Sequence, residues 1–143
     1  MALLKWSAPV AIASLLTTEL NSLANATLSA VTAAQDNATN KNRWADFELV
    51  VTYGTNPSAG GHVALYATVS LDGTNYSDTQ RDMMTCWLGA FPLRATTAAQ
   101  RIVIKGVQLP PQLLKFFVDN QAGQAMAASG NTLKWSQYNE EIA

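Results

Sequence analysis

From residue 27 onward, apolar residues recur at every second position, and no run of helical spacing is sustained against that rhythm. An extended chain turns successive side chains to opposite faces, so this alternation is the mark of half-buried strands. It is clearest where Phe47, Leu49, Val51 and Tyr53 oppose Asp46, Glu48, Val50 and Thr52. Val63, Leu65, Ala67, Val69 and Leu71 are predicted to point inward, opposite Ala64, Tyr66 and Thr68. Residues 84–91 predict a short strand stopped by Pro92, with Met84, Cys86, Leu88 and Ala90 against Trp87 and Phe91. Ile102 and Ile104 alternate with Arg101, Val103 and Lys105 before Gly106, in a strand that ends at Pro110-Pro111. Leu114, Phe116 and Val118 oppose Leu113, Lys115 and Phe117, and large side chains on both faces call for a central strand or cover on both sides. Gln124 to Ala127 predicts a short strand, Ser129-Gly130-Asn131 a tight turn, and Leu133 to Tyr138 the last strand.

The weakest strand is 27–34, where Leu28, Ala30, Thr32 and Ala34 give little contrast with their neighbours. It runs into turn-like residues 35–42. Gly, Pro and Asn punctuate the remaining runs, at 54–61, 72–78 and 120–123, because these residues supply the dihedrals that stop a strand. About eight short strands so spaced predict an all-β protein, an antiparallel β-sandwich or jelly roll. Its predicted core is Leu49, Val51, Val63, Leu65, Val69, Ile102, Ile104, Phe116, Val118 and Leu133.

Residues 1–26 read differently and divide from a 27–143 jelly-roll domain as an N-terminal arm with a short helix. Leu16, Leu20, Leu23 and Ala24 fall at helical spacing, with Thr17 or Thr18 as N-cap and Glu19 in the first turn, predicting a helix near 14–24. Leu3, Leu4, Trp6, Val10 and Ile12 have no clean period. An apolar arm without its own core either packs back on its domain or borrows a core from a neighbour. These five residues are accordingly the candidate subunit or partner contacts. The segment after Lys5 has the outline of a signal peptide, but Pro9 and Ser14 break its short apolar run, and the expectation is that it is retained.

Charge then limits function. Only 13% of the 143 residues are Asp, Glu, Lys or Arg, about half the roughly 25% usual for a soluble domain, and the net charge is −1. Interface cores lose charged residues, so such a surface suits cover by copies of itself or by a partner. Without a basic cluster the chain is not expected to bind nucleic acid, and no run is long enough to span a bilayer as a helix. Cys86 and His62 are each the sole residue of their type, which argues against a disulfide, a cysteine zinc site or a histidine pair. Asp72, Asn75, Asp78 and Asp82 could offer oxygens to calcium, but they lack EF-hand spacing and read better as turn formers. Glu140 and Glu141 are adjacent, unsuited to flank a substrate. Trp44, Trp87, Trp135, Tyr53, Tyr66 and Tyr138 are either core and cross-strand pairs or a sugar-stacking platform. Three Asn-X-Ser/Thr triplets, at Asn25, Asn37 and Asn75, are expected by chance in so Asn/Thr-rich a chain. No catalytic constellation emerges, so the expectation is a non-enzyme without cofactor or metal.

Several segments carry a resemblance. They are Thr18-Glu19-Leu20-Asn21-Ser22-Leu23-Ala24-Asn25, Val69 to Tyr76 with its Asp72-Gly73-Thr74-Asn75, Leu88-Gly89-Ala90-Phe91-Pro92-Leu93-Arg94, and Gln100-Arg101-Ile102. Leu109-Pro110-Pro111 to Lys115, Asn120, Gly123-Gln124-Ala125 and Ala128-Ser129-Gly130-Asn131-Thr132-Leu133-Lys134 continue the set. Together these resemble small jelly-roll virion proteins of tailed bacteriophages and prophages, over about residues 17–138. The resemblance implies a structural protein on the capsid surface of a particle, of the decoration or cement type, with no catalytic residues to carry over. The expected partners are copies of itself, as a homotrimer, and the major capsid protein. A carbohydrate-binding jelly-roll module of a tail fibre or baseplate is the alternative.

Overall fold

The alternating runs pair into two antiparallel sheets laid face to face. The computed structural model describes residues 2–81 and 86–143. In chain order the elements are β1 (Leu4–Trp6), β2 (Ala13–Leu16), a 3-10 turn (Thr18–Leu20), β3 (Thr27–Leu28), β4 (Gln35–Asp36) and α1 (Asn37–Asn40). Then follow β5 (Trp44–Val51), β6 (His62–Ser70), β7 (Trp87–Pro92), β8 (Gln100–Gln108), β9 (Leu113–Gln121), β10 (Thr132–Tyr138) and β11 (Glu140–Ile142). One sheet runs β2-β10-β5-β8; the other runs β3-β9-β6-β7, with β4 sharing the β9 edge that β3 uses. Counting β3 and β4 as one broken strand, and with β6 and β7 a pair within one sheet, the strand order is that of an eight-stranded jelly roll. β1 and β11 pair outside both sheets as a separate two-stranded ribbon.

Aromatic rings lock the sheets together. Phe116 of β9 meets Phe47 of β5 at 5.2 Å and Trp135 of β10 at 5.1 Å, both edge-on. Leu49, Val51, Val63, Leu65, Val118 and Leu133 are fully buried around them, as predicted. Leu16, Leu20 and Leu23 add to this core from the N-terminal segment. Phe117, on the other face of β9, is equally buried and stacks on Tyr66 beside Cys86 and Ala64. The two-faced pattern of this strand therefore has cover on both sides.

Several expectations need correction. Val69, Ile102 and Ile104 are only half-buried, since β8 is a sheet edge and β6 ends one residue after Val69. Leu71 lies beyond that end and is 84% exposed. The predicted helix over 14–24 shrinks to the single turn Thr18–Leu20, because Ala13–Leu16 is taken as a strand by the edge of β10. A one-turn helix, α1, stands in the expected turn 35–42, with the Asp36 carboxylate accepting from Thr39 N–H. The expected strand over Gln124 to Ala127 is reduced to one bridge, Met126 to Tyr53. Met84 and Thr85 lie outside the described residues, and that strand begins at Trp87.

The weak strand 27–34 resolves into something more specific. Only its start, Thr27–Leu28, pairs regularly with β9; the next ladder, Gln35–Asp36, lies just past it in the expected turn, and between the two, side chains replace the backbone ladder. Ser29 N–H donates to Val118 C=O while Ser29 Oγ accepts from Val118 N–H at 3.0 Å. Thr32 repeats the arrangement with Phe116, its Oγ1 accepting from the amide at 3.0 Å. Each hydroxyl stands in for a backbone carbonyl, so β9 stays satisfied where its neighbour is irregular.

Buried asparagines do the same for the loops. Asn120 donates to Leu23 C=O and Gln124 C=O and accepts from the Tyr53 hydroxyl. Asn131 accepts from Thr52 N–H and donates to Ala127 C=O, while Asn37 donates to Asn42 C=O and Pro110 C=O. All three are essentially inaccessible to solvent.

Two stability predictions follow from this packing. Leu65→Ala is expected to cost roughly 2–5 kcal/mol, and Ile104→Ala, half-exposed on an edge, clearly less. Thr32→Val keeps the shape but leaves Phe116 N–H without its hydroxyl acceptor, at a cost of roughly 1–3 kcal/mol. Urea unfolding of the free protein measures all three.

Candidate functional site

The N-terminal arm lies along the C-terminal strands of its own chain. Ser7 N–H donates to Asn139 C=O, Val10 N–H to Gln137 C=O, and Ala143 N–H to Leu3 C=O. Ser136 Oγ donates to Val10 C=O at 2.7 Å, and Asn139 N–H to Ser7 Oγ. Backbone pairing thus runs from the ribbon to β2, yet the arm's apolar side chains point away from it. Leu3, Leu4, Trp6, Val10 and Ile12 are all exposed, Leu4 at 68% and Trp6 at 60%.

Register explains how part of this surface is composed. Leu4 stands opposite Ile142, Lys5 opposite Glu141 and Trp6 opposite Glu140. Residues directly opposite share a face. One face of the ribbon therefore carries Leu4, Trp6 and the 75% exposed Ile142 together with Glu140, which pairs with Arg43, and the other carries the Lys5–Glu141 ion pair at 3.3 Å. Sequence reasoning missed Ile142, because the five residues after Tyr138 are too few to show a period. Trp6 continues the surface onto the sandwich by meeting the ring of Tyr138 edge-on at 5.3 Å.

Behind Trp6 the outer face of the β2-β10-β5-β8 sheet is hollowed into a groove of about 500 Å³. A bulge makes it. Between Ile104 and Val107 β8 carries two residues where β5 carries one, Asp46. Gly106 sits there at φ +66°, a left-handed conformation that glycine adopts without steric cost. Its N–H donates to Asp46 Oδ1 at 2.8 Å, and the Tyr138 hydroxyl donates to the same oxygen at 3.1 Å. Burial, reinforced by the Asp46 carboxylate, raises the Tyr138 pKa and keeps the phenol protonated. Lys105, Ser136 and Pro9 complete the walls. An isolated glycine inside a strand pattern is the sequence signal that could have located this bulge.

The other singled-out residues are placed elsewhere. Trp135 and Tyr53 are buried in the core, Tyr66 is buried against Phe117 on the other face of its sheet, Trp44 is half-buried beneath the Arg43 guanidinium, and Trp87 is 52% exposed on β7. Six aromatics thus make no common platform; only Tyr138 joins the groove. His62 is half-buried at the start of β6. Glu140 pairs with Arg43 at 3.1 Å and Glu141 with Lys5. Asp72 closes a turn, accepting from Asn75 and Thr74 N–H, the Asn75 side chain and the Ser70 hydroxyl. Asp82 lies outside the described residues. Among the described residues no three His, Cys, Asp or Glu side chains gather as a metal site, and no helix is long and apolar enough to cross a membrane.

No protein-family model matches this chain, and no curated protein matches it. Among solved structures it is similar to a mitogen from Yersinia pseudotuberculosis, with TM-score 0.28 and 6% identity over 97% of this chain and 86% of that one. It is also similar to CBM32-1 from a family 31 glycoside hydrolase of Clostridium perfringens, with TM-score 0.29 and 16% identity over 95% and 94% of the two chains. Overlap this loose carries no argument about function, and the jelly-roll assignment rests on the strand order itself.

Gly106→Ala forces a side chain into the left-handed region and is expected to cost about 1–2 kcal/mol. Urea unfolding measures the loss, which Ala at the neighbouring Lys105 should not reproduce. For Asp72, the hydrogen bonds from Asn75 and Thr74 N–H hold the carboxyl well below its ordinary value. A depressed folded value stabilises above the unfolded-chain value of about 3.9 and loses that contribution as pH falls through the folded value. Asp72→Asn is therefore expected to flatten the decline of melting temperature in acid below about pH 4.

Proposed function

We propose that this chain is a non-enzymatic structural protein of a bacteriophage particle, of the capsid decoration or cement type. The reading rests above all on the exposed apolar side of the arm and terminal ribbon. A two-stranded ribbon is marginal in water by itself, and this one turns Leu4, Trp6 and Ile142 to solvent. Burying each such side chain is worth roughly 1.5–3 kcal/mol, so the ribbon gains stability when another subunit covers it. Contiguous exposed apolar surface on an otherwise folded domain marks an interaction site.

The charge-poor composition supports the same reading, since surface with few ions can be covered without desolvating them. Jelly rolls serve viral capsids and lectins alike, so the architecture is compatible with the role without selecting it. The resemblance to phage virion proteins supplies the particle. Contact between a ribbon and a different patch on the next copy is heterologous, and such contacts form a ring such as a trimer where the rotation between copies closes. The major capsid protein is the second partner.

Deleting residues 1–12 tests the proposal, because β2 and the sandwich core stay in place. The truncated chain is expected to keep its β-sheet circular dichroism but to sediment as a monomer and to bind purified capsids at least tenfold more weakly. Added salt should change the full-length association little, since Lys5 is the arm's sole charge. Undiminished assembly of the truncated chain would overturn the proposal.

A further inference from the structure

We infer that the groove between Trp6 and the β8 bulge is a binding site for a neutral hexose-containing glycan. The assignment does not rest on capsid decoration, but Trp6 serves both readings, so a glycan in the groove and a subunit covering the ribbon would compete for it. The groove, at about 500 Å³, falls within the range of small-ligand sites and gathers its walls from four separate segments. The arm supplies Trp6 and Pro9, β5 supplies Asp46, β8 supplies Lys105, and β10 supplies Ser136 and Tyr138.

The chemistry of these walls matches a pyranose. A sugar ring offers an apolar C–H face and a rim of hydroxyls that each donate and accept. Trp6 provides the apolar plate: its indole is 60% exposed and plays no part in the core, while the edge contact with Tyr138 fixes its attitude. The rim finds both kinds of partner. Asp46 uses Oδ1 for Gly106 N–H and the Tyr138 hydroxyl, which anchors the carboxylate and leaves Oδ2 to accept from a ligand. The hydrogens of Tyr138 and Ser136 are committed to Asp46 and to Val10 C=O, so both hydroxyl oxygens present acceptor lone pairs. Lys105 is the donor, with an ammonium that carries no ion pair among the described residues.

Charge selects the class of ligand. Asp46 and Lys105 oppose one another in sign within the same groove, so an anionic or cationic ligand would meet one attraction and one repulsion. A neutral polyol satisfies both with hydrogen bonds to charged groups, the stronger kind. The groove is also fixed before any ligand arrives, by the Gly106 bulge and the bonds that pin Asp46, which lowers the ordering cost of binding.

The test is to pass full-length protein over immobilised oligosaccharides containing glucose, galactose, mannose or N-acetylglucosamine, beside sialylated and sulfated ones, and to titrate any retained neutral glycan calorimetrically. Retention of a neutral glycan in preference to the charged ones is expected. Trp6→Ala, at an exposed position that leaves the fold intact, should weaken that binding at least tenfold, and so should Asp46→Asn. Trp87→Ala, at the exposed tryptophan on β7 outside the groove, should leave it unchanged. No retained neutral glycan, or binding that survives both Trp6→Ala and Asp46→Asn, overturns the assignment. So does a Trp6→Ala variant that changes sedimentation while the wild type retains no glycan, since the groove is then a protein contact.

Discussion

Everything in this jelly roll depends on satisfying buried backbone groups with uncharged side chains. A sandwich whose loops dip into the interior carries peptide N–H and C=O groups away from water, where each unpaired one is costly. Here Asn37, Asn120 and Asn131 bridge those loops, and the Ser29 and Thr32 hydroxyls complete the open edge of β9. Amides and hydroxyls both donate and accept, so they close such gaps without the desolvation cost of an ion. The low charge and high Asn, Ser and Thr content thereby acquire a structural cause. A buried carboxylate, Asp119, pairs with the exposed Arg81 and fastens the segment before residue 82 to the outer face of β9, where Gln121 also donates to the carboxylate.

The terminal segments work differently from the core. In the sandwich, side-chain burial and backbone pairing coincide; in the arm they separate. Residues 3–12 are held by backbone hydrogen bonds to β10, Asn139 and β11 while their large side chains face water. Hydrogen bonds contribute about 1 kcal/mol each net, so this arrangement suffices to position the arm without hiding its apolar surface. It gives a defined shape to an exposed apolar element, which would lower the ordering cost of the proposed cover by a partner.

One glycine links that arm to the sheet. With Gly106 in the left-handed region β8 admits an extra residue, and the amide it frees anchors Asp46, which in turn holds Tyr138 against Trp6. The hollow thus stands between an ordered sheet and an ordered arm. The proposed subunit contact and the proposed glycan site draw on one surface: Leu4, Trp6 and Ile142 share a face of the ribbon, and Trp6 with Tyr138 also borders the groove.

Period-two alternation by itself determined the sheet content, because strand faces are written in local sequence: Leu49, Val51, Val63, Leu65, Phe116 and Val118 were legible as core without a partner strand in view. The two-sided burial of β9 was legible for the same reason, from Phe116 and Phe117 side by side. The tertiary structure decided what depends on which strand stands next to which. Ile104 alternates as regularly as Leu65 yet is half-exposed, since only sheet order makes β8 an edge. Leu16, Leu20 and Leu23 kept helical spacing, but the open edge of β10 offered more hydrogen bonds than an isolated turn, and Ala13–Leu16 became a strand. Asn120 and Asn131 looked like turn residues because turn and staple use the same amide; whether it meets water or a buried carbonyl is settled by distant chain. The candidate surface followed this division. The apolar arm could be read from its composition, whereas Ile142, Asp46 and Tyr138 joined it through register and a bulge, which are properties of strand pairs and not of any single segment.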